Sequence, residues 1–318
     1  MNRRLSIILP AFNEAQNLPE LIHRLFCVEP ALSSRGVAME VVIIDDHSSD
    51  ATPEVAKQLV ASHPNIKYAR LSRNCGSHLA RAAGLERCTG DAAVVMAADL
   101  QDPPELIPAL VAKWCEGTDV VWAVRSRREG EQWTTLLSSW LFYALMRRLA
   151  MPDLPPRGAD YFIVSRRVID AYNAMREKDT NINLAIRWLG FRQTSIDYVK
   201  QARHAGRSGF TLAKKIQVAL DSIVSYSVAP IRLVSLAGLW SWAIGVACIA
   251  VVVAAWLLGL PTAIFWSAAV AAVLLLLHGM TLLSLGIVGE YVCRTLHAAR
   301  GRPRYLIEDS AASTSEKP

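Results

Sequence analysis

Along the first two thirds of the chain, short apolar runs alternate with longer mixed stretches. The runs are "LSIIL" (5–9), "EVVII" (40–44), "IKYARL" (66–71), "AAVVM" (92–96) and "DVVWAV" (119–124). They are rich in β-branched residues and short, as strands buried on both faces are. Between them, helical segments are predicted over Leu18–Phe26, Thr52–Ser62, Ser77–Cys88 and Pro104–Cys115. This alternation predicts an α/β domain with a mostly parallel sheet.

The pattern then changes. From Leu233 to Gly289 there is no Asp, Glu, Lys or Arg. That is roughly 57 residues, where one membrane crossing needs about 20. "GLPTA", with Pro261, breaks the stretch into two predicted helices, 233–258 and 262–288. Arg232 precedes the pair, Arg294, Arg300, Arg302 and Arg304 follow it, and the connecting turn is uncharged. The bias of basic residues puts both flanks on the cytoplasmic side. His278 reads as a neutral histidine tolerated within the second span. A hairpin buried in a soluble core is the alternative, and the length and apolarity of the spans oppose it. "LLSSWLFYALMRRLA" (136–150) and "TLAKKIQVALDSIVSYS" (211–227) combine apolar faces with basic residues. They suit helices lying in the membrane interface. The expected organisation is a cytoplasmic domain over 1–228, then two transmembrane helices and a basic cytoplasmic tail over 229–318. The expected place is the inner cell membrane, crossed more than once, with both termini cytoplasmic.

Composition sharpens this in a few respects. Hydrophobic residues make up 52% of the chain and mean hydropathy is +0.24, so part of the chain need not face water. The net charge of +6 favours anionic partners. Much of the arginine clustering lies beside the predicted spans, which favours phosphates over nucleic acid; no nucleic-acid partner is expected. The six cysteines form no CxxC pair and read as reduced thiols. No signal peptide is expected, because the apolar run Leu5–Leu9 ends at Pro10. There is no GxGxxG after the first strand and no GxxxxGK[ST], which argues against a dinucleotide oxidoreductase or a P-loop enzyme.

Ligands of such sheets bind beyond the carboxyl ends of the strands. The five predicted strands open onto "PAFNE" (10–14), "DDHSSDAT" (45–52), "SRNCGSH" (72–78), "AADLQDPPE" (97–105) and "RSRREGE" (125–131). Each has a plain reading on its own. Ser49 or Asp50 can cap a helix starting at Thr52, "SRNCGSH" can be a loop with a cap, and "DLQDPPE" can be a Pro-started helix. Together they gather carboxylates for ribose hydroxyls and a pyrimidine N–H, and arginines for phosphates. Oxygen donors for a divalent cation bridging a diphosphate complete the set. The combination points to a nucleotide-diphosphate site.

"SIILPAFNEAQNL", "EVVIIDDHSSDAT", "LSRNCGSHLARAAGL" and "AADLQDPPELIP" resemble the family 2 glycosyltransferases. The two predicted spans and "GRPRYLI" (301–307) narrow the resemblance to the polyprenyl-phosphate type, similar to dolichol-phosphate mannose synthases and bactoprenol glucosyltransferases. It covers about Leu5 to Ile307. It implies a GT-A fold, a nucleotide-sugar donor, Mg²⁺ or Mn²⁺, and inversion at the anomeric carbon. By position, Pro10, Phe12 and Glu14 would border the nucleobase, and Asp45 and Asp46 would hold base and ribose. Arg73 and Asn74 would lie near the donor. Asp99 and Gln101 match metal-binding positions and Arg125 a diphosphate arginine. Asp160, in "GADYF", matches an acceptor-site aspartate. Arg203, Arg207 and Ser208, in "RHAGRS", would meet the lipid phosphate. A UDP-sugar is favoured over a GDP-sugar, and a homo-oligomer is compatible with the pattern.

Three positions depart from the family's pattern. Ala97 stands where the first acid of a DxD is common, leaving Asp99, Gln101 and the diphosphate to hold a metal, with Asp102 as a candidate helper. Leu136 stands for a common arginine, for which Arg127 or Arg128 can substitute, and Gly209 for a common lysine. Asp160 would orient acceptor or sugar, or act as a base. Two other functions compete: a processive polysaccharide synthase, for which no QxxRW and too few spans are present, and a non-catalytic membrane scaffold keeping the fold.

Overall fold

The computed structural model describes residues 3–128, 160–175, 181–200, 229–258, 263–299 and 303–312. The chain divides into two compact units. The first holds an eight-stranded sheet, ordered β7-β5-β6-β4-β1-β2-β3-β8. Its strands are β1 (Arg3–Ala11), β2 (Val37–Asp45), β3 (Ile66–Leu71), β4 (Ala92–Val95), β5 (Val120–Arg128), β6 (Tyr161–Ser165), β7 (Gln193–Lys200) and β8 (Ile307–Ala312). Its helices are α1 (Leu18–Ser33), α2 (Thr52–Ser62), α3 (Ser77–Arg87), α4 (Ile107–Cys115), α5 (Arg166–Ala174) and α6 (Ile182–Trp188).

The expected α/β class and mostly parallel sheet are present. β4, β1, β2 and β3 run parallel, and β5 runs parallel to β7. β6 is antiparallel to both β4 and β5, and β8 is antiparallel to β3. The central strands are sealed on both faces, with Leu5, Ile7, Ile8, Leu9, Val41, Ile43 and Val94 at 0% exposure. That is why each reads as an unbroken apolar run. A Cβ on Gly84 would collide with the Ile8 side chain, so this glycine lets α3 lie directly against β1.

The topology decides where a ligand can sit. Chain order reverses at β1, which has β2 on one side and β4 on the other. Such a switch point opens a crevice at the carboxyl ends. Because β6 runs the other way, its first residues reach the same edge. Val95, near the end of β4, pairs with Phe162, and Ala123 of β5 pairs with Tyr161.

The second unit contains α7 (Ala229–Leu257), close to the predicted 233–258, and α8 (Ala263–Ala299), which continues well past the predicted end at 288. Among the described residues, no helix is long and apolar enough to cross a membrane. The predicted interface helices and Leu136, Arg203, Arg207, Ser208 and Gly209 also lie outside the described residues.

Candidate active site

The loop leaving β4 carries the residues expected to hold a metal. Asp99 is 6% exposed, and its Oδ1 accepts from the Gln101 backbone N–H at 3.2 Å. Leu100 between them has φ 61°, in the left-handed region. A leucine held there is strained by about 1–2 kcal/mol, and such strain gathers at functional sites. The turn sets one carboxylate and one amide on either side of a buried leucine. Among the described residues, no three His, Cys, Asp or Glu gather as a metal site. A hard divalent cation held by Asp99, Gln101 and the phosphates of a ligand fits this donor pair.

Asp102 is not arranged as a metal helper. It is 0% exposed, accepts from the Tyr198 hydroxyl at 2.7 Å, and accepts from the Ala97 N–H at 3.2 Å. The Tyr161 hydroxyl donates to the Pro103 carbonyl at 3.1 Å, and the two tyrosine rings meet edge to face. Asp102 thus fastens the loop that presents Asp99. Burial and the neighbouring Asp102 charge raise the Tyr198 hydroxyl pKa, so it remains a donor.

Arg125 and Asp160, 35 residues apart, meet at the shared edge with Nη2 to Oδ2 at 2.5 Å. Asn183 Nδ2, from α6, donates to Asp160 Oδ1 at 2.9 Å. Arg81 Nη1, from α3, lies 3.8 Å from the same oxygen. Motif reading anticipated Arg125 and Asp160 but passed over Arg81 and Asn183. A signal for Arg81 was present in "SHLARAAGL": a lone arginine flanked by Ala80, Ala82 and Ala83, where a buried helix face was due. For Asn183 there was none.

The expected base and ribose residues divide into two groups. Phe12 is 45% exposed, and Arg73 and Asn74 are exposed, so all three are open to a ligand. Pro10, one residue before the end of β1, pairs with Ile44. Asp45 and Asp46 are bonded within the fold. Asp45, at 0% exposure, accepts from Ser48 N–H at 2.8 Å, the Tyr68 hydroxyl at 3.1 Å and Arg70 Nη1 at 3.3 Å. Asp46 accepts from the N–H groups of Cys75 and Gly76 at 2.7 and 2.8 Å, which fixes the start of α3. Burial raises the Asp46 carboxyl pKa, and those two N–H groups oppose the rise. Glu14 Oε2 accepts from Asn17 Nδ2 at 2.5 Å, and the Glu14 N–H is held by Thr52 Oγ1. The cap expected of Ser49 or Asp50 is not formed as such: Ala51 holds the N-cap position of α2 with no side-chain bond, and Asp50 Oδ1 accepts from the Thr52 N–H and hydroxyl at 3.0 and 2.5 Å.

Residues 6–172 match the family model for glycosyl transferase family 2. Curated relatives align over nearly the whole chain. An uncharacterized glycosyltransferase of Bacillus subtilis (strain 168) is 33% identical, covering 96% of this chain and 93% of its own length. A prophage bactoprenol glucosyl transferase homolog of Escherichia coli (strain K12) is 32% identical, with 96% and 98% covered. An undecaprenyl-phosphate 4-deoxy-4-formamido-L-arabinose transferase of Pseudomonas savastanoi pv. phaseolicola is 33% identical, with 98% and 92% covered.

Proposed function

The chain belongs to glycosyl transferase family 2, and from that premise we propose that it transfers a hexosyl group from a nucleotide-diphosphate sugar to a polyprenyl phosphate, with inversion. The observation that carries this is the meeting of the Arg125–Asp160 pair with the Asp99–Gln101 turn at one sheet edge, β6 bringing its first residues to the ends of β4 and β5. The names of the bactoprenol and undecaprenyl-phosphate relatives support the acceptor class.

Phe12, Arg73 and Asn74 would border the donor, and Arg125 would face its diphosphate, adding stabilisation as charge develops on the leaving group. Asp99 and Gln101 would hold Mg²⁺ or Mn²⁺, which when bound neutralises that charge. A phosphate monoester has its second pKa at about 6, so the acceptor is largely ionised at neutral pH. It needs no general base, and Asp160, tied by Arg125 and Asn183, orients rather than deprotonates. Arg203, Arg207 and Ser208 would meet the lipid phosphate. α7 and α8 would cross the inner membrane, keeping the catalytic domain on the cytoplasmic face beside the acceptor headgroup. The charge-free sequence from Leu233 to Gly289 supports this.

The test is a donor screen with the full chain in membranes and undecaprenyl phosphate, reading the lipid product by mass. A polyprenyl-phosphate hexose formed from a UDP-hexose, with release of UDP, is expected, and absence of lipid-linked sugar from every UDP- and GDP-sugar overturns the reading. Carbonate extraction checks the crossing: a chain released into the soluble fraction does not span the bilayer.

A further inference from the structure

α3 carries two side chains with no part in the chemistry described so far. Arg81 is 7% exposed, yet its Nε and Nη1 have no hydrogen-bond partner. Its contact with Asp160 Oδ1, at 3.8 Å, is an ion pair too long for a hydrogen bond. His78 lies one turn earlier, with a solvent-shielded Nδ1 that is also unpartnered. Arg125 Nε and Asn183 Oδ1, on the other two neighbours of this carboxylate, share that condition.

Buried polar atoms are nearly always paired. One left unpaired costs about 1–3 kcal/mol, and more when it is charged. Among the described residues, five of the seven such side-chain atoms belong to His78, Arg81, Arg125 and Asn183, around Asp160. Two guanidiniums, Arg81 and Arg125, face Asp160, and the Asp102 charge also acts on Arg125, while burial and the Arg81 charge push the His78 imidazole down to about 4, leaving it neutral at pH 7. The cluster keeps unused N–H donors on two guanidiniums, the complement of an oxyanion.

We propose that Arg81, with His78 and Arg125, forms a seat for a phosphate oxyanion beside Asp160, filled by substrate. Identifying the phosphate as that of the lipid acceptor or of the nucleotide donor rests on the proposed function; the seat rests on the unpaired donors. Asp160 opposes a second anion, and the two guanidiniums flanking it offset that repulsion.

The experiment uses the full chain in detergent and needs no turnover. Binding of farnesyl phosphate, and separately of UDP and GDP, is measured for wild type, Arg81→Gln and Arg81→Lys, with thermal melting of each. Arg81→Gln is expected to weaken at least one probe by about 10- to 100-fold, the loss of a hydrogen bond to a charged group. Arg81→Lys should recover part of it, keeping the charge without the fork. Weakened farnesyl phosphate assigns the seat to the acceptor, and weakened nucleotide assigns it to the donor. The seat is overturned if wild type binds no probe, or if Arg81→Gln binds all of them as wild type does. It is also overturned if binding and melting fall together and Arg81→Lys restores neither. A wild type that binds through Arg81 but transfers no sugar overturns the proposed function and leaves the seat standing.

Discussion

Asp99 and Glu40 are both buried carboxylates, and they do opposite work. Asp99 lies at the carboxyl edge, where its Oδ1 accepts from the Gln101 N–H at 3.2 Å. Asp99→Ala is expected to cut transfer roughly 100-fold or more; full activity would remove its metal role. Glu40 lies at the opposite end of the strands. It accepts from the Ser6 hydroxyl, from Thr89 N–H and Oγ1 at 2.7 Å each, and pairs with Lys67 at 3.3 Å. Burial alone would raise its pKa, but those partners outweigh it and hold the carboxyl below its ordinary 4.5. A lowered folded pKa means the stabilisation is complete above 4.5 and is lost as pH falls through the lower folded value. Glu40→Gln should therefore cost about 1–3 kcal/mol at pH 7 and flatten the acid limb of the stability profile. Denaturant melts across pH 3 to 7 check this, and an unchanged acid limb would assign that loss to other groups.

Among the elements, the strands of the parallel core were legible and the later strands β6, β7 and β8 were not. IKYARL became β3 with the predicted bounds, and the helix over Thr52–Ser62 also kept its bounds, because burial on both faces and strong helix starts leave little choice. β7, "QTSIDYVK", alternates and carries polar residues, and β8, "IEDSAA", has the alternating exposure of an edge strand, so neither stands out as an apolar run. α1 extends to Ser33 although Pro30 lies inside it, where a proline would suggest an earlier stop. At the candidate site, the edge positions of Asp99 and Arg125 could be read because strand exits attract attention, while Asp160, just before β6, came only from the resemblance. The inward turn of Asp45 depends on partners 3 to 25 residues away and could not be read from spacing. Gly84 is a case where one residue sets an element's position. Gly84→Val should force α3 off β1 and cost about 1–3 kcal/mol, with site residues on α3 displaced. A thermal melt equal to wild type would show that α3 tolerates the shift.

At the scale of the whole molecule, the chain leaves the sheet, forms the second unit and then returns to the first. The returning residues are bound to several earlier elements. β8 pairs with β3, Lys57 with Asp309 at 2.6 Å, and Arg70 with Glu308 at 3.0 Å. Arg304 donates to the Met175 carbonyl at 2.6 Å, and the Tyr305 hydroxyl donates to Glu86. Without β8, β3 becomes an open edge of unpaired backbone groups. Arg70 would also lose Glu308 while still bound to buried Asp45, so the loss would reach the loop that carries His47 and Ser48. Exposed ion pairs are individually weak, so Glu308→Ala alone should be mild. Truncation after Arg302 removes strand and pairs together. It is expected to cost about 2 kcal/mol, a fall of roughly 4–8 °C in melting temperature, and to weaken nucleotide binding more than binding of the lipid phosphate. Scanning calorimetry with UDP and farnesyl phosphate titrations would measure both effects. A truncated chain that melts and binds like the full one would make the return a passive tail, since nothing in the first unit would then depend on the sequence beyond the helices.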